Sequence, residues 1–288
     1  MNSNPDSAGL KLIQSLSRPI EPVPTGLKPI LPKLPGIRCV IFDVYGTLLA
    51  STGNEPDINN PAHRESTLRT LLRQHGIPAP SRPSSLTGHL DALIVREHEQ
   101  AREAGIPFPE VEIRDLWSEL LQHPRDKRLE ELAIAYECMT NPVWPMPGAR
   151  ELLAALHERE FILGIISNAQ FYTPLLFPAL LNSDLASLGF TETLCLFSYR
   201  FRNAKPGLAL YETMKDCLSG RGIQPHEALY VGNDAEKDIH PASETGFRTA
   251  LFAGDLRSLR LHQGKASLQQ PDALLTELDQ IIALLPEV

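Results

Sequence analysis

Polar side chains that can carry out chemistry follow several short apolar runs of the sequence. Asp43 ends the first run, Ser167 ends another, Lys205 lies in a loop after a third, and Asp234 and Asp238 follow a fourth. A carboxylate can act as a covalent nucleophile, a hydroxyl group can donate a hydrogen bond, and a cation can stabilise negative charge. An acidic pair can hold a metal ion. Each residue alone is explained by a turn or a helix cap, but their succession favours a catalytic site.

The apolar runs before these residues have the length of buried parallel strands. They cover residues 38–43, 161–167, 194–198, 228–232 and 248–252. Between them, 148–159 and 208–218 show the apolar spacing of amphipathic helices. Strands that alternate with helices predict an α/β fold with a doubly wound parallel sheet. Ligands bind at the carboxyl ends of the strands in such sheets, and the polar residues lie there.

A long stretch after the first strand departs from this alternation. Helical patterns occur at 63–75, 85–104, 113–122 and 128–138, and no convincing strand lies among them. A connection of this size is too long for a loop in a compact α/β unit. We therefore predict an inserted helical cap domain over 53–140, with prolines 142, 145 and 147 marking the return to the core. The loop 105–109 of this cap is a candidate for substrate selection.

Seven prolines lie within residues 1–36, at positions 5, 19, 22, 24, 29, 32 and 35. Proline removes a backbone donor and fixes φ, so this segment cannot be a long helix or an inner strand. We predict an extended N-terminal arm in which only residues 10–16 are helical. A proline-rich ligand segment is the alternative. The α/β core then comprises residues 37–52 and 141–288.

Composition limits the classes of partner. The net charge of −8 argues against nucleic acid or an anionic membrane as the main partner. The four cysteines are widely spaced and form no metal-type spacing, which is typical of a reducing compartment. No apolar run reaches the length of a membrane span, and the N-terminus lacks a signal-peptide pattern. We expect a cytoplasmic monomer or homodimer. Any small anionic substrate would have to be bound by a local cluster of donors or by a metal.

Four segments of the chain resemble the motifs of the haloacid dehalogenase (HAD) superfamily. They are Phe42-Asp-Val-Tyr-Gly-Thr-Leu48, Ile165-Ile-Ser-Asn168, Ala204-Lys-Pro206 and Tyr230-Val-Gly-Asn-Asp-Ala-Glu-Lys-Asp238. The place of the insert, between the first and second motifs, is similar to members with a type-1 helical cap. The resemblance covers residues 37 to about 255. It implies a Rossmann-like core and a hydrolase that forms an aspartyl intermediate.

The resemblance also implies a role for each matched residue. Asp43 would attack the substrate, and Ser167 would donate a hydrogen bond to an oxygen of the transferred group, with Asn168 as a helper. Lys205 would neutralise charge shared by the nucleophile and the substrate. Thr47, in the first motif, is counted with the candidate catalytic residues.

A magnesium ion is the cofactor that the resemblance implies. Its ligands would be Asp43, the carbonyl of Tyr45, Asp238 and one further residue. Asp234 fits a four-residue spacing to Asp238, and Asn233 fits a five-residue spacing, so the sequence leaves both open. Mg²⁺ suits such a site because it takes few carboxylates and keeps several waters.

Tyr45 departs from the pattern of the family's phosphatases, which usually carry a second aspartate there as general acid. A phenol has an ordinary pKa near 10, and the Asp-x-Tyr-Gly-Thr form is similar to the 2-haloacid dehalogenases. The acidic fourth motif favours instead a magnesium-dependent hydrolase of a small phosphorylated metabolite, which we expect first. The alternatives are a metal-independent 2-haloacid dehalogenase and a non-catalytic binding protein of the same fold.

Overall fold

The computed structural model of the chain describes residues 7–52, 60–81, 84–262 and 268–286. Its strands are β1 (Cys39–Phe42), β2 (Leu49–Ser51), β3 (Val143–Pro145), β4 (Ile162–Ser167), β5 (Phe190–Phe197), β6 (Ala228–Gly232), β7 (Arg248–Phe252) and β8 (Ala273–Leu275). The first helices are α1 (Ser7–Leu16), α2 (Pro61–Gln74), α3 (Leu86–Glu103), α4 (Ile113–Leu121), α5 (Lys127–Thr140) and α6 (Ala149–Glu158). They are followed by α7 (Thr173–Leu176), α8 (Ser198–Phe201), α9 (Ala209–Ser219), α10 (His240–Glu244) and α11 (Ile281–Leu284). Single π-helical turns cover Phe177–Leu181 and Ala235–Ile239, and 3₁₀ turns cover Pro225–Glu227 and Leu278–Gln280.

Six strands form one parallel sheet in the order β5-β4-β1-β6-β7-β8. The prediction of a doubly wound α/β sheet is confirmed, and every predicted strand is present. The central strand β1 is buried along its whole length, as expected when helices cover both faces of a parallel sheet. Of these six strands only β8 was not predicted, because its three residues are too few to give a periodic pattern. The chain order reverses at β1, so the crevice between the ends of β4 and β6 lies beside it.

The inserted segment consists of α2 to α5, which lie within three residues of the predicted helices. Its buried side chains, among them Leu68, Leu90 and Trp117, form an apolar cluster separate from the two clusters of the sheet. The return to the core includes strand β3, which pairs antiparallel with β2, so the proline at 145 lies in a two-stranded ladder rather than a bare hinge. The predicted cap boundary at residue 53 lies outside the described residues, and the domain division stays a prediction.

The N-terminal arm is helical from Ser7 to Leu16 and then runs without regular structure to residue 36, apart from one β-bridge. Ile13 is fully buried, while Leu12 and Leu16 pack against both the sheet cluster and the cap cluster. Further on, the main chain of Ile30 exchanges two hydrogen bonds with Leu274, of 2.9 and 3.0 Å, on the edge strand β8. The arm therefore covers an exposed sheet edge.

All four cysteines carry free thiols, and three of them are buried. Among the described residues, no helix combines the length and apolar character that a membrane crossing requires.

Replacing Ile13 tests the contribution of α1 to stability. Ile13→Ala removes a fully buried side chain, and we expect it to lower the free energy of unfolding by about 2–5 kcal/mol. Urea unfolding followed by circular dichroism measures the change. Lys11→Ala, on the exposed face of the same helix, is the control and should shift stability by less than about 0.5 kcal/mol. Equal urea midpoints for the two variants would contradict this packing.

Candidate active site

The parallel register brings three polar segments together at one edge of the sheet. Phe42, the last residue of β1, lies opposite Ile165 of β4 on one side and Val231 of β6 on the other. Asp43 therefore emerges between the ends of these two strands, and its backbone N–H donates to the Val231 carbonyl at 2.9 Å. Ser167 ends β4 and Gly232 ends β6, so the residues that follow them flank Asp43.

Lys205 connects the candidate nucleophile to the fourth motif. Its Nζ lies 2.8 Å from Asp43 Oδ1, 2.5 Å from Asp238 Oδ1 and 3.2 Å from the hydroxyl oxygen of Tyr230. An ammonium group has three N–H donors, so all three are used. Lys205, Asp43 and Asp238 are 5 %, 6 % and 1 % exposed. The structure thus contains a buried cluster in which one ammonium group forms ion pairs with two carboxylates.

Burial alone would lower the pKa of Lys205, but the charges of Asp238 and Asp43 outweigh it and raise the pKa. Lys205 is therefore protonated at neutral pH. Burial raises the pKa of Asp238 to about 6, against the opposing charge of Lys205. Lys205 therefore keeps its positive charge, because two carboxylates stabilise it.

The Asn168 side chain holds the loop that carries Lys205. Its Oδ1 accepts from the Lys205 backbone N–H at 2.7 Å, and its Nδ2 donates to the Lys205 carbonyl at 3.1 Å. Asn168 was predicted to help bind substrate, and in the structure it positions Lys205. The predicted cap loop also reaches this segment, since the Phe108 carbonyl accepts from the Ala204 N–H at 2.7 Å. The cap and β4 together fix the lysine.

The turn after Asp43 packs directly on the segment after β6. Gly46 has φ of +84°, and a Cβ there would lie 2.7 Å from Asn233 Nδ2 and from Ser258 Cβ. Only glycine allows both the backbone angle and this approach. Next to it, Thr47 Oγ1 donates to Asn233 Oδ1 at 3.2 Å. Thr47 is fully buried, and its hydroxyl joins the first motif to the fourth.

The predicted acidic ligands already have hydrogen-bond partners. Asp234 Oδ1 accepts from the backbone N–H groups of Glu236 and Lys237 at 2.9 and 3.0 Å, as an N-cap does, and from His262 Nε2 at 2.8 Å. Asp238 Oδ2 accepts from the Asp234 N–H at 2.9 Å. The other oxygen of Asp238 faces Lys205.

A magnesium ion at this edge would need oxygen donors that are not already engaged. Within the described ranges, no three His, Cys, Asp or Glu side chains converge in a way that could hold a metal ion. Asp238 is engaged at both oxygens, Asp234 caps a helical turn, and Asn233 offers an uncharged amide that Thr47 already occupies. The predicted centre of Asp43, Tyr45, Asp234 and Asp238 is therefore not assembled among the described residues, and it stays a prediction.

Tyr45 lies between the nucleophile and the cap. Its hydroxyl lies 2.9 Å from Thr173 Oγ1, and the two groups share one hydrogen bond. Burial, reinforced by the charge of Glu137, raises the pKa of Tyr45 well above 10. The phenol therefore stays protonated and is a weaker acid than an ordinary tyrosine. It is a poor substitute for the aspartate that protonates leaving groups in the phosphatases.

Ser167 Oγ is buried and has no hydrogen-bond partner among the described residues. An unpaired buried hydroxyl is unfavourable unless something completes it. Ser167 is fully buried and is not among the described residues that line the cavities beside Asp43. Its role as a donor to the substrate stays a prediction.

Two neighbouring cavities share Tyr45, Ser51 and Asn168 in their walls. The smaller, of about 240 Å³, has Asp43, Lys205, Asn233, Asp234 and Asp238 in its lining. The larger, of about 640 Å³, lies against cap side chains such as Trp117 and Tyr136. The larger volume is typical of small-molecule sites. A substrate can thus place its reacting centre near Asp43 and the rest of the molecule under the cap.

Two glutamates, Glu110 and Glu137, line the larger cavity. Burial raises the pKa of both carboxyl groups, partly offset by hydrogen bonds, among them one from Ser198 to Glu110. Arg64 is the cation of this wall, and it pairs with Asp91. The larger cavity therefore offers polar groups but no unopposed positive charge from the described residues.

Sequence reasoning missed four residues of the smaller cavity and its surroundings. They are Tyr230, Lys237, Ser258 and Arg260. Tyr230 is the first residue of the fourth motif and lies near the end of β6, so its place in the sequence could have indicated that it lies near the site. Ser258 and Arg260 follow β7 and come some 25 residues after Asn233 and Asp234 of the fourth motif. No spacing rule links them to the site.

The fold and the site together define a class. The chain has a Rossmann-like core, a helical insertion after the first strand and polar segments at the strand ends. Residues 37–246 match the family model of the haloacid dehalogenase-like hydrolases, and the chain belongs to this family. The predicted resemblance is confirmed.

Several solved structures align with most of the chain. A 2-haloacid dehalogenase from Pseudomonas syringae pv. Tomato aligns with a TM-score of 0.54 and 21% identity, over 86% of this chain and 97% of that one. A predicted phosphoglycolate phosphatase from Haemophilus somnus aligns with a TM-score of 0.46 and 16% identity, over 86% and 97%. A HAD phosphatase from Thermococcus onnurineus gives 0.48 and 18%, over 85% and 96%. No curated protein matches the sequence.

Removing Lys205 tests the buried charge group. Lys205→Met leaves Asp43 and Asp238 without their shared cation, and we expect a loss of about 3–5 kcal/mol in the free energy of unfolding. The double variant Lys205→Met/Asp238→Asn should regain part of that loss because one buried charge is gone. Urea titration compares the three proteins. Wild-type stability in the single variant would show that Lys205 does not stabilise the carboxylates.

Proposed function

We propose that the protein hydrolyses a small anionic molecule through a covalent intermediate on Asp43, without a divalent metal. The leaving group in this proposal departs as a stable anion and needs no proton. A 2-halo carboxylate meets both conditions. The proposal reverses the order expected from the sequence, in which a phosphorylated metabolite came first.

Tyr45 is the observation that carries the proposal. An alkoxide leaving group needs a general acid, and such an acid contributes about 10²–10⁴-fold to the rate. The group two residues after Asp43 is a phenol with a raised pKa that is engaged with Thr173. The lining of the smaller cavity contains no histidine among the described residues. A halide leaves without protonation, so this arrangement suffices for it.

The chemistry has two steps. In the first, a carboxylate oxygen of Asp43 attacks the carbon that bears the halogen; the new C–O bond forms as the carbon–halogen bond breaks, and halide leaves with the bonding pair. In the second, water adds to the side-chain carbonyl carbon of the Asp43 ester. The ester C–O bond at that carbon breaks, the 2-hydroxy carboxylate leaves, and one proton goes to solvent. Asp43 is restored as a carboxylate.

Lys205 would serve both steps from its fixed position. Its N–H donor to Asp43 Oδ1 leaves the second oxygen to attack. During ester hydrolysis the same donor can stabilise negative charge on the carbonyl oxygen, as oxyanion-hole donors do. Because Asp238 and Asn168 hold the lysine, little reorganisation accompanies the reaction.

A magnesium-dependent phosphohydrolase is the second candidate. It is favoured by the cations Lys237 and Arg260, which join Lys205 in the lining of the smaller cavity and suit a phosphate dianion. It requires a metal that the donor set accommodates poorly. Hydrolysis of p-nitrophenyl phosphate that depends on added Mg²⁺ would establish this candidate and overturn the first.

Halide release tests the metal-independent proposal. We expect 2-chloropropionate to release chloride equally well with and without EDTA, because no step uses a metal. Asp43→Asn should lose at least about 10³-fold in turnover, since it lacks the nucleophile. Ion chromatography of chloride measures both effects. The proposal fails if a panel of 2-halo carboxylates yields no halide from folded protein.

Replacing Tyr45 separates its packing role from acid catalysis. Tyr45→Phe should keep kcat for halide release within about tenfold, whereas the loss of a general acid would cost about 10²–10⁴-fold. Thr173→Val removes the same hydrogen bond but keeps the phenol, so it is the matched control. Steady-state kinetics compare the two variants. A large loss in Tyr45→Phe alone would assign the phenol a proton-transfer role.

A further inference from the structure

The loop after β7 returns to the catalytic edge and pairs with the fourth motif. The Arg260 N–H donates to the Asn233 carbonyl at 3.0 Å, and the Arg260 carbonyl accepts from the Ala235 N–H at 2.8 Å. These two main-chain bonds fix the Cα of Arg260 beside Asp234. Its position therefore does not depend on its own side chain.

The same loop is anchored on both sides of Arg260. The Ser258 carbonyl accepts from Asn233 Nδ2 at 2.7 Å. Asp255, which is 1 % exposed, accepts from the Val23 N–H of the arm at 3.1 Å and pairs with Arg257. The loop is thus a rigid wall of the smaller cavity, held by motif four on one side and by the N-terminal arm on the other.

The guanidinium of Arg260 is oriented but not neutralised. Its Nη1 donates to the carbonyls of Arg257 and Leu259, at 2.8 and 2.9 Å. Among the described residues, no carboxylate forms an ion pair with it, in contrast to Arg257 beside Asp255 and Arg114 beside Glu112. Arg260 lines the smaller cavity together with Asp43. A positioned arginine with spare N–H donors suits a planar or tetrahedral oxyanion.

We propose that Arg260 binds the non-reacting oxyanion of the substrate and so determines specificity for anionic molecules. The inference rests on the proposed function for the reacting centre and adds the group that orients the substrate toward Asp43. A carboxylate is the oxyanion expected for the 2-halo carboxylates. A phosphate oxygen has the same hydrogen-bonding chemistry, and the experiment distinguishes the two.

Binding to the full chain provides the first test, by isothermal titration calorimetry with two probes, 2-hydroxypropionate and inorganic phosphate. We expect 2-hydroxypropionate to bind the wild type and Arg260→Gln to bind it about 10- to 100-fold more weakly, the size of a charged hydrogen-bonded contact. Arg260→Lys should be intermediate because it keeps the charge and loses the planar fork. Arg73→Gln, which replaces an exposed cation on α2 that lines neither cavity, should bind within about twofold of the wild type.

Kinetics with a neutral analogue separate charge recognition from a structural role. In the wild type, 2-chloropropionate should have a lower KM than 2-chloropropanamide. Arg260→Gln should raise KM for the acid by the same 10- to 100-fold, leave kcat within about threefold, and leave the amide unchanged. Melting temperatures of all variants check that the fold is intact. A merely structural effect would impair acid and amide alike.

The possible results test the role of Arg260 and the proposed reaction independently of each other. Arg260-dependent binding of phosphate alone keeps the role of Arg260 and identifies phosphate as the oxyanion. Arg260-dependent binding without halide release refutes the proposed reaction only. Halide release with an unchanged KM in Arg260→Gln refutes the role of Arg260 only. The role of Arg260 is also refuted if the wild type binds neither probe with a Kd below about 1 mM.

Discussion

One buried ammonium group holds the catalytic edge together. Asp43 follows β1 and Asp238 lies in the turn after β6. Each carboxylate would be strongly unfavourable as an isolated buried charge. Lys205 makes their coexistence possible because its Nζ contacts both. The Tyr230 hydroxyl completes its shell. The surrounding structure can therefore be understood as the support of one cation: Asn168 clasps its main chain, and the cap loop hydrogen-bonds to the residue before it.

The same constraint explains why glycine lies where backbones meet. Asp238 can approach β6 only because Gly232 has no Cβ, which would lie 2.5 Å from the Asp238 carboxyl. Gly46 plays the matching part for the turn after Asp43. Charge pairing thus requires close backbone contact, and close contact requires glycine at two defined positions. Substrate chemistry enters only after this framework exists, through Tyr45 and the loop of Arg260.

Much of this arrangement follows from the sequence because the sheet is built from local signals. Asp43 and Lys205 were predicted because each follows an apolar run at a strand end. The sequence could not decide whether Asp234 or Asn233 faces the site, because the spacing to Asp238 fits both residues. It is decided by backbone donors of the next turn and by His262, which is distant in the chain. Arg260 was missed because it reaches the fourth motif from a distant part of the chain, to which no spacing rule links it.

The first helix packs against two apolar clusters, a contact that it shares with Ile113 and Phe171. Leu12 and Leu16 touch both the sheet cluster and the cap cluster, and Gln14 donates to the Ala179 carbonyl of the core. No residue of this helix is among those that line the two catalytic cavities. The beginning of the described chain therefore holds the inserted helices and the sheet together, although it supplies no group to the site.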